Sequence, residues 1–126
     1  MTKAIQRRIT ASDKAITMKL SHYELKLVCT AIERAYRKIK LDGVPQLKEN
    51  DTLSKDPLEV MVIELCYNAM VKFKKKLAED LTISAISLPV AETCALWELY
   101  RYGYLYYNVD DAAITSLFTE VHPQLS

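Results

Sequence analysis

Residues 15–27 read AITMKLSHYELKL, and the reading of this stretch decides the fold. The first six residues alternate, with Ile16, Met18 and Leu20 on one side and Ala15, Thr17 and Lys19 on the other. A period of two is that of a short strand with one face buried. At Ser21 the pattern changes. Ser21 and Glu24 have capping-box spacing, in which each side chain satisfies an orphan backbone donor of the other residue, and Leu20 and Leu25 flank them as a hydrophobic staple. Beyond them Leu25, Val28, Cys29, Ile32, Ala35, Tyr36 and Ile39 recur at helical spacing. Lys26, Glu33, Arg34, Arg37 and Lys38 take the opposite arc. Gly43 stands where a helix C-terminal glycine belongs. The stretch therefore reads as a strand over 15–20 that turns directly into a helix over 22–41.

The same order recurs downstream. Residues 81–88, LTISAISL, read as extended, and Pro89 with Glu92 opens another helix. A shift of 68 positions pairs Leu20 with Leu88, Glu24 with Glu92, Val28 with Leu96 and Tyr36 with Tyr104. A duplicated β–α unit and a merely shared local grammar account for these matches equally well. Pairing with each other is the cheapest way for two short strands to satisfy their backbone groups.

Between the two units, GVPQLKENDTLSK (43–55) reads as a surface loop. Asp56-Pro57-Leu58-Glu59 then restarts a helix with an Asp cap, Pro at the first helical position and Glu at the third. Its first half, LEVMVIELCYNAMV (58–71), is apolar on nearly every side and is expected to be the central, most buried helix. Lys72, Lys74, Lys75 and Lys76 follow, as the helix dipole favours. A last helix after Asp110 places Ile114, Leu117, Phe118 and Val121 on one face and ends at His122-Pro123. The expectation is a mainly α, small four-helix domain spanning 1–126, with a basic N-terminal segment over 1–14 and a minor two-stranded β element from 15–20 and 81–88. Two glycines and four prolines are too few for an all-β fold or for a glycine-cradled nucleotide site.

The 126 residues suffice for one domain with a real core. No apolar run approaches the ~20 residues of a membrane span, and MTKAIQRRITASDKAI lacks the apolar stretch of a secretory signal. Cys29, Cys66 and Cys94 are odd in number and widely spaced. They read as reduced thiols, so the compartment expected is cytoplasmic, with no membrane partner. The net charge of +1 hides a split: residues 1–41 hold ten Lys/Arg against three Asp/Glu, and residues 42–126 seven against thirteen. Such a split suits either a nucleic-acid-facing N-terminal part or one subunit's basic end docking on another's acidic end.

Signals for chemistry are sparse. The chain has no GxxxxGK[ST], GxGxxG or GxSxG, and no paired Cys or His at metal-ligand spacing. His22 and His122 sit at helix ends, and Asp110-Asp111 reads as a cap. Glu64 and Glu98 are distant carboxylates whose meeting only the fold can decide. No enzyme, metal or cofactor is expected. Arg7, Arg8 and Lys19, with Arg34, Arg37 and Lys38 on one helix face, are the candidates for nucleic-acid contact along a phosphate backbone.

WELYRYGYLYYN (97–108) carries one tryptophan and five tyrosines. As a strand, Tyr100, Tyr102, Tyr104 and Tyr106 would share a side. As a helix, Leu96, Leu99, Tyr100, Gly103, Tyr104 and Tyr107 form one stripe bordered by Trp97 and Tyr106. The helix formers upstream favour the second geometry. That helix leaves Tyr102 and Leu105 on a flank where a monomer would carry charge, and tyrosine and tryptophan are residues that interfaces favour. The function expected is a non-enzymatic, self-associating interaction or assembly module, with Trp97, Tyr102, Leu105 and Tyr106 as partner contacts. Its partner would be another copy or a different protein. Small motif-poor chains suit phage or mobile-element accessory and virion proteins. The alternative is nucleic-acid or nucleotide binding through the basic N-terminal part and exposed tyrosines.

Overall fold

The computed structural model describes residues 8–48, 56–105 and 111–125, with backbone alone at Asp111. Within these residues the strand-to-helix junction forms as its spacing dictates. Strand β2 (Ala15–Ser21) runs into helix α1 (His22–Asp42). The Glu24 N–H donates to Ser21 Oγ at 3.2 Å, and the Ser21 N–H donates to Glu24 Oε1 at 3.1 Å, closing the capping box.

The second unit follows the same order, strand β3 (Ile83–Pro89) into helix α3 (Val90–Arg101). β2 and β3 pair antiparallel, with Ile16 opposite Leu88, Met18 opposite Ile86 and Leu20 opposite Ser84. All six of these side chains are buried on one face. On the other face Thr17 Oγ1 and Ser87 Oγ lie 2.6 Å apart in a cross-strand hydrogen bond. The expected two-stranded element gains a third strand, β1 (Ile9–Ala11), which pairs antiparallel with β2 so that the order is β1-β2-β3. Its three residues are too few to show alternation. The turn closing the hairpin is fixed by Ser12, whose Oγ accepts from the Ala15 N–H at 3.2 Å.

Helix α2 (Pro57–Ala78) begins at the expected Asp56 cap, whose carboxylate accepts from the Leu58 and Glu59 N–H groups. Glu59 itself turns back to the preceding loop, where its Oε2 accepts from the buried Val44 N–H at 2.8 Å. This brings the carboxylate against Gly43. A Cβ there would sit 2.7 Å from Glu59 Oε2, and φ at Gly43 is +73°, so glycine is required on both counts. A 3-10 turn over Pro45–Leu47 continues the loop. Helix α4 (Asp111–Val121) buries Ile114, Leu117, Phe118 and Val121 as their spacing implies, and a 3-10 turn over His122–Leu125 follows.

The architecture is thus predominantly helical, with a sheet layer covered on its inner face by the helices. The expectation that α2 is the central helix fails. α1 holds the centre, packed against α2, α4, β2 and β3. α2 fully buries only the stripe Glu59, Val62, Cys66, Ala69, Met70 and Phe73; Ile63 and Leu65 are half-buried against the core, and Leu58, Val60, Met61, Tyr67 and Val71 face solvent. The reading of a helix through residue 107 is also corrected. α3 stops at Arg101 because Gly103, at φ +83°, closes it. The Gly103 N–H donates to Tyr100 O and the Tyr104 N–H to Leu99 O, at 3.0 and 2.8 Å, which are the two bonds of a Schellman end.

Candidate functional site

Ending α3 at Arg101 redistributes the aromatic residues. Trp97 is half-buried, stacked on His122 with centroids 4.5 Å apart and tilted against Tyr100. Tyr100 in turn stacks on Phe118 at 4.9 Å, so these rings join α3 to α4 and the turn after it. Leu105, expected on an exposed flank, is buried in the core; once the helix is closed, the chain turns this residue inward. Tyr102 is half-buried with the Arg101 guanidinium 5.1 Å from its ring centre. It lines a cavity of about 340 Å³ with Gln46, Leu47, Leu58, Val62, Glu98 and Arg101. Tyr106 lies outside the described residues, as does Arg7.

The other candidate cations do not converge on one surface. Arg8 is held between Glu24 at 2.9 Å and Glu120 at 3.3 Å, tying the start of β1 to α1 and α4. Lys19 lies on the outer face of the sheet. Arg34, Arg37 and Lys38 are exposed on α1. Arg37 pairs with Glu33 at 2.6 Å, and the Lys38 ammonium lies 5.6 Å from the Tyr104 ring centre. Glu64 and Glu98 line different cavities. Among the described residues no group of three or more His, Cys, Asp or Glu could hold a metal ion, and no helix is long and apolar enough to cross a membrane.

What the structure does gather is an apolar face on α2. Val60, Met61, Tyr67 and Val71 are exposed by 42, 57, 42 and 45%. Val60, Tyr67 and Val71 fall at intervals of seven and four residues, which places them on one stripe of the helix. α1 extends the stripe: Tyr36 stacks on Tyr67 with centroids 5.4 Å apart. The two rings, with Val60, Ile63 and Glu64, line a groove of about 310 Å³ that is mostly apolar. Cations flank it at both ends: beyond Tyr67, Lys74 reaches Glu33 at 3.4 Å, and toward the N-terminus of α2 the Lys40 ammonium lies 5.7 Å from the Tyr36 ring centre. The signal for this face was present in the sequence as surplus. A run apolar on nearly every side holds more apolar residues than one buried stripe can absorb.

The remaining charged feature is internal. Glu92, on α3, is almost fully buried, and both of its oxygens accept from Lys72 Nζ, at 2.8 and 2.7 Å. This pair clamps α2 to α3 and gives Lys72 a structural role. The two buried thiols are inert as well. Burial raises the pKa of Cys29, with Glu33 adding to the rise and Lys74 opposing it, and burial pushes Cys66 up to about 12. No family model matches the chain, and neither a curated protein nor a solved structure matches it.

Proposed function

We propose that the chain is a non-enzymatic protein–protein interaction module whose contact face is the α2 stripe and the groove it shares with α1. The observation that carries this reading is clustering: of the nine large hydrophobic side chains exposed among the described residues, five, Leu58, Val60, Met61, Tyr67 and Val71, lie on α2, whereas Tyr23, Leu41, Leu81 and Ile83 are scattered. A contiguous apolar patch with an aromatic floor is how protein interaction sites present themselves. Tyr36 and Tyr67 offer rigid rings with polar tips, the type of residue that anchors such contacts. Nucleic-acid binding is the weaker reading, because Arg8 and Arg37 are spent on carboxylates and Lys19 lies on a different face from the α1 cations.

A photo-crosslinking phenylalanine analogue at position 67, compared with the same analogue at exposed Thr115 on α4, tests the face in cells. Discrete covalent adducts are expected from position 67 and not from 115. Adducts absent from 67, or equal at both sites, would overturn the assignment.

A further inference from the structure

We infer that the partner on this face is a second copy of the chain, docked α2 against α2 in antiparallel orientation about a two-fold axis. The inference rests on the interaction reading above and names the occupant of the same site. Its basis is the order of charge along the stripe. Glu64 lies toward the N-terminal end, and Lys75 lies three turns further on with nearly the same bearing around the helix. Both are exposed, and among the described residues neither forms an ion pair. The cations beside Lys75 are occupied: Lys72 by Glu92, Lys74 by Glu33 and Lys76 by Glu79.

An antiparallel copy brings its own Lys75 to this Glu64 and its own Glu64 to this Lys75. The two ionic contacts then flank a centre made by Tyr67, Asn68 and Val71. The face supplies both halves of its own complement, as a two-fold contact requires, since the same patch serves both partners. A parallel copy would instead set Glu64 against Glu64 and Lys75 against Lys75. Glu64 and Lys75 are about 16 Å apart along the axis at ~1.5 Å per residue, so the contact is short. The dimer is correspondingly concentration-dependent, at the small end of specific interfaces.

The test is a charge exchange read by sedimentation velocity over a range of concentrations, with circular dichroism to confirm the fold. Glu64→Lys alone and Lys75→Glu alone should each weaken dimerisation on the order of tenfold, because the two-fold applies each lesion twice. The double exchange should restore it. In a Cys94→Ser background, Asn68→Cys near the axis should form an intermolecular disulfide on mild oxidation. Met61→Cys should not, since antiparallel copies hold those positions far beyond the ~7 Å that a disulfide can bridge. A dimer lost on Tyr67→Ser plus Val71→Ser but indifferent to the charge exchange, or bridged through Met61→Cys, would overturn the antiparallel copy and leave the interaction face standing. A strict monomer that still gives adducts to other proteins from position 67 would overturn the second copy in favour of a different partner. A strict monomer with no adducts would remove both readings.

Discussion

The two strand-to-helix units share a spacing and use it differently. In β2–α1 the glutamate three residues past the N-cap closes a capping box with Ser21 and accepts a further bond from Arg8. In β3–α3 the corresponding Glu92 caps nothing and reaches across to Lys72. The reason is one backbone atom. A reciprocal box needs an N–H on the N-cap residue, and Pro89 has none. Deprived of a local donor, the Glu92 carboxylate turns inward and meets a lysine from another helix. One unit therefore stabilises its own helix start, while the other spends the same residue on tertiary structure.

The two units differ most in what their glutamates' cations hold. Lys72→Ala strands a carboxylate that is only 6% exposed and should cost about 2–3 kcal/mol, below the ~3–5 of a fully buried pair because Lys72 itself is 40% exposed. Arg8→Ala acts on carboxylates that keep their water, Glu24 at 25% and Glu120 at 47% exposure, and should cost about 1 kcal/mol or less. Urea midpoints at unchanged slope measure both. Lys72→Met with Glu92→Leu should recover most of the first loss, since two well-packed apolar side chains replace the pair. Equal losses for the two single variants would mean that the Glu92 contact is no more internal than that of Glu24.

The ends of the two helices differ in the same way. Gly43 after α1 has both a restricted conformation, φ +73° with ψ −169°, and a Glu59 oxygen where a Cβ would go. Gly103 after α3 has the positive φ of +83°. Gly43→Ala should therefore cost about 2–3 kcal/mol and Gly103→Ala about 1, measured by thermal unfolding. If the Gly103 variant loses as much as the Gly43 variant, the close approach of Glu59 contributes nothing.

At the helix starts the effects are smaller. Ser21→Ala removes the cap and should cost about 1 kcal/mol. Pro89→Ser supplies α3 with a capping hydroxyl and an N–H but relinquishes the proline's restriction of the unfolded chain. The two nearly cancel, and the net change expected is within about 0.5 kcal/mol. A loss near 1 kcal/mol for Pro89→Ser would show that the proline itself holds the junction.

How much of this was legible follows from what periodicity encodes. The capping box and staple set α1 to within a residue of its expected end, because those signals are local and chemical. β3 begins at Ile83, two residues later than expected, since sheet pairing begins opposite Ser21 and Leu81 stays outside it. α3 was overrun because apolar spacing continues past Gly103, while the φ angle that stops the helix leaves no trace in spacing. A helix continued past Gly103 also places Leu105 at the surface, where the closed helix buries it. α2 was misplaced for the opposite reason. Its abundance of apolar residues reads as burial, yet burial needs neighbours, and α1 and α3 cover only one side. The α2 face thus follows from the composition of 58–71 only once the packing partners are known.

A last difference appears only in alkaline solution, and it separates α1 from α3 by their thiols. Cys29 on α1 is buried, and its raised pKa comes first from burial, then from Glu33, against the opposing pull of Lys74. Cys94 on α3 is exposed. A thiol reacts as its thiolate, so in the native protein at pH 8 Cys94 should label rapidly. Cys29 and Cys66 should label only as the chain opens. The sign for stability follows from the same shifts. With a folded pKa above the unfolded value of 9, each buried thiol contributes stability that is fully present below pH 9. For Cys66 this contribution is lost as the pH climbs from 9 toward about 12, because the unfolded chain gives up its proton first. Mass spectrometry of a timed labelling series should show one fast site per chain at pH 8. The urea midpoint should fall above pH 9 by less in Cys66→Ala than in the parent. Three sites reacting at one rate would mean that the α1–α2 seam opens as freely as the surface of α3.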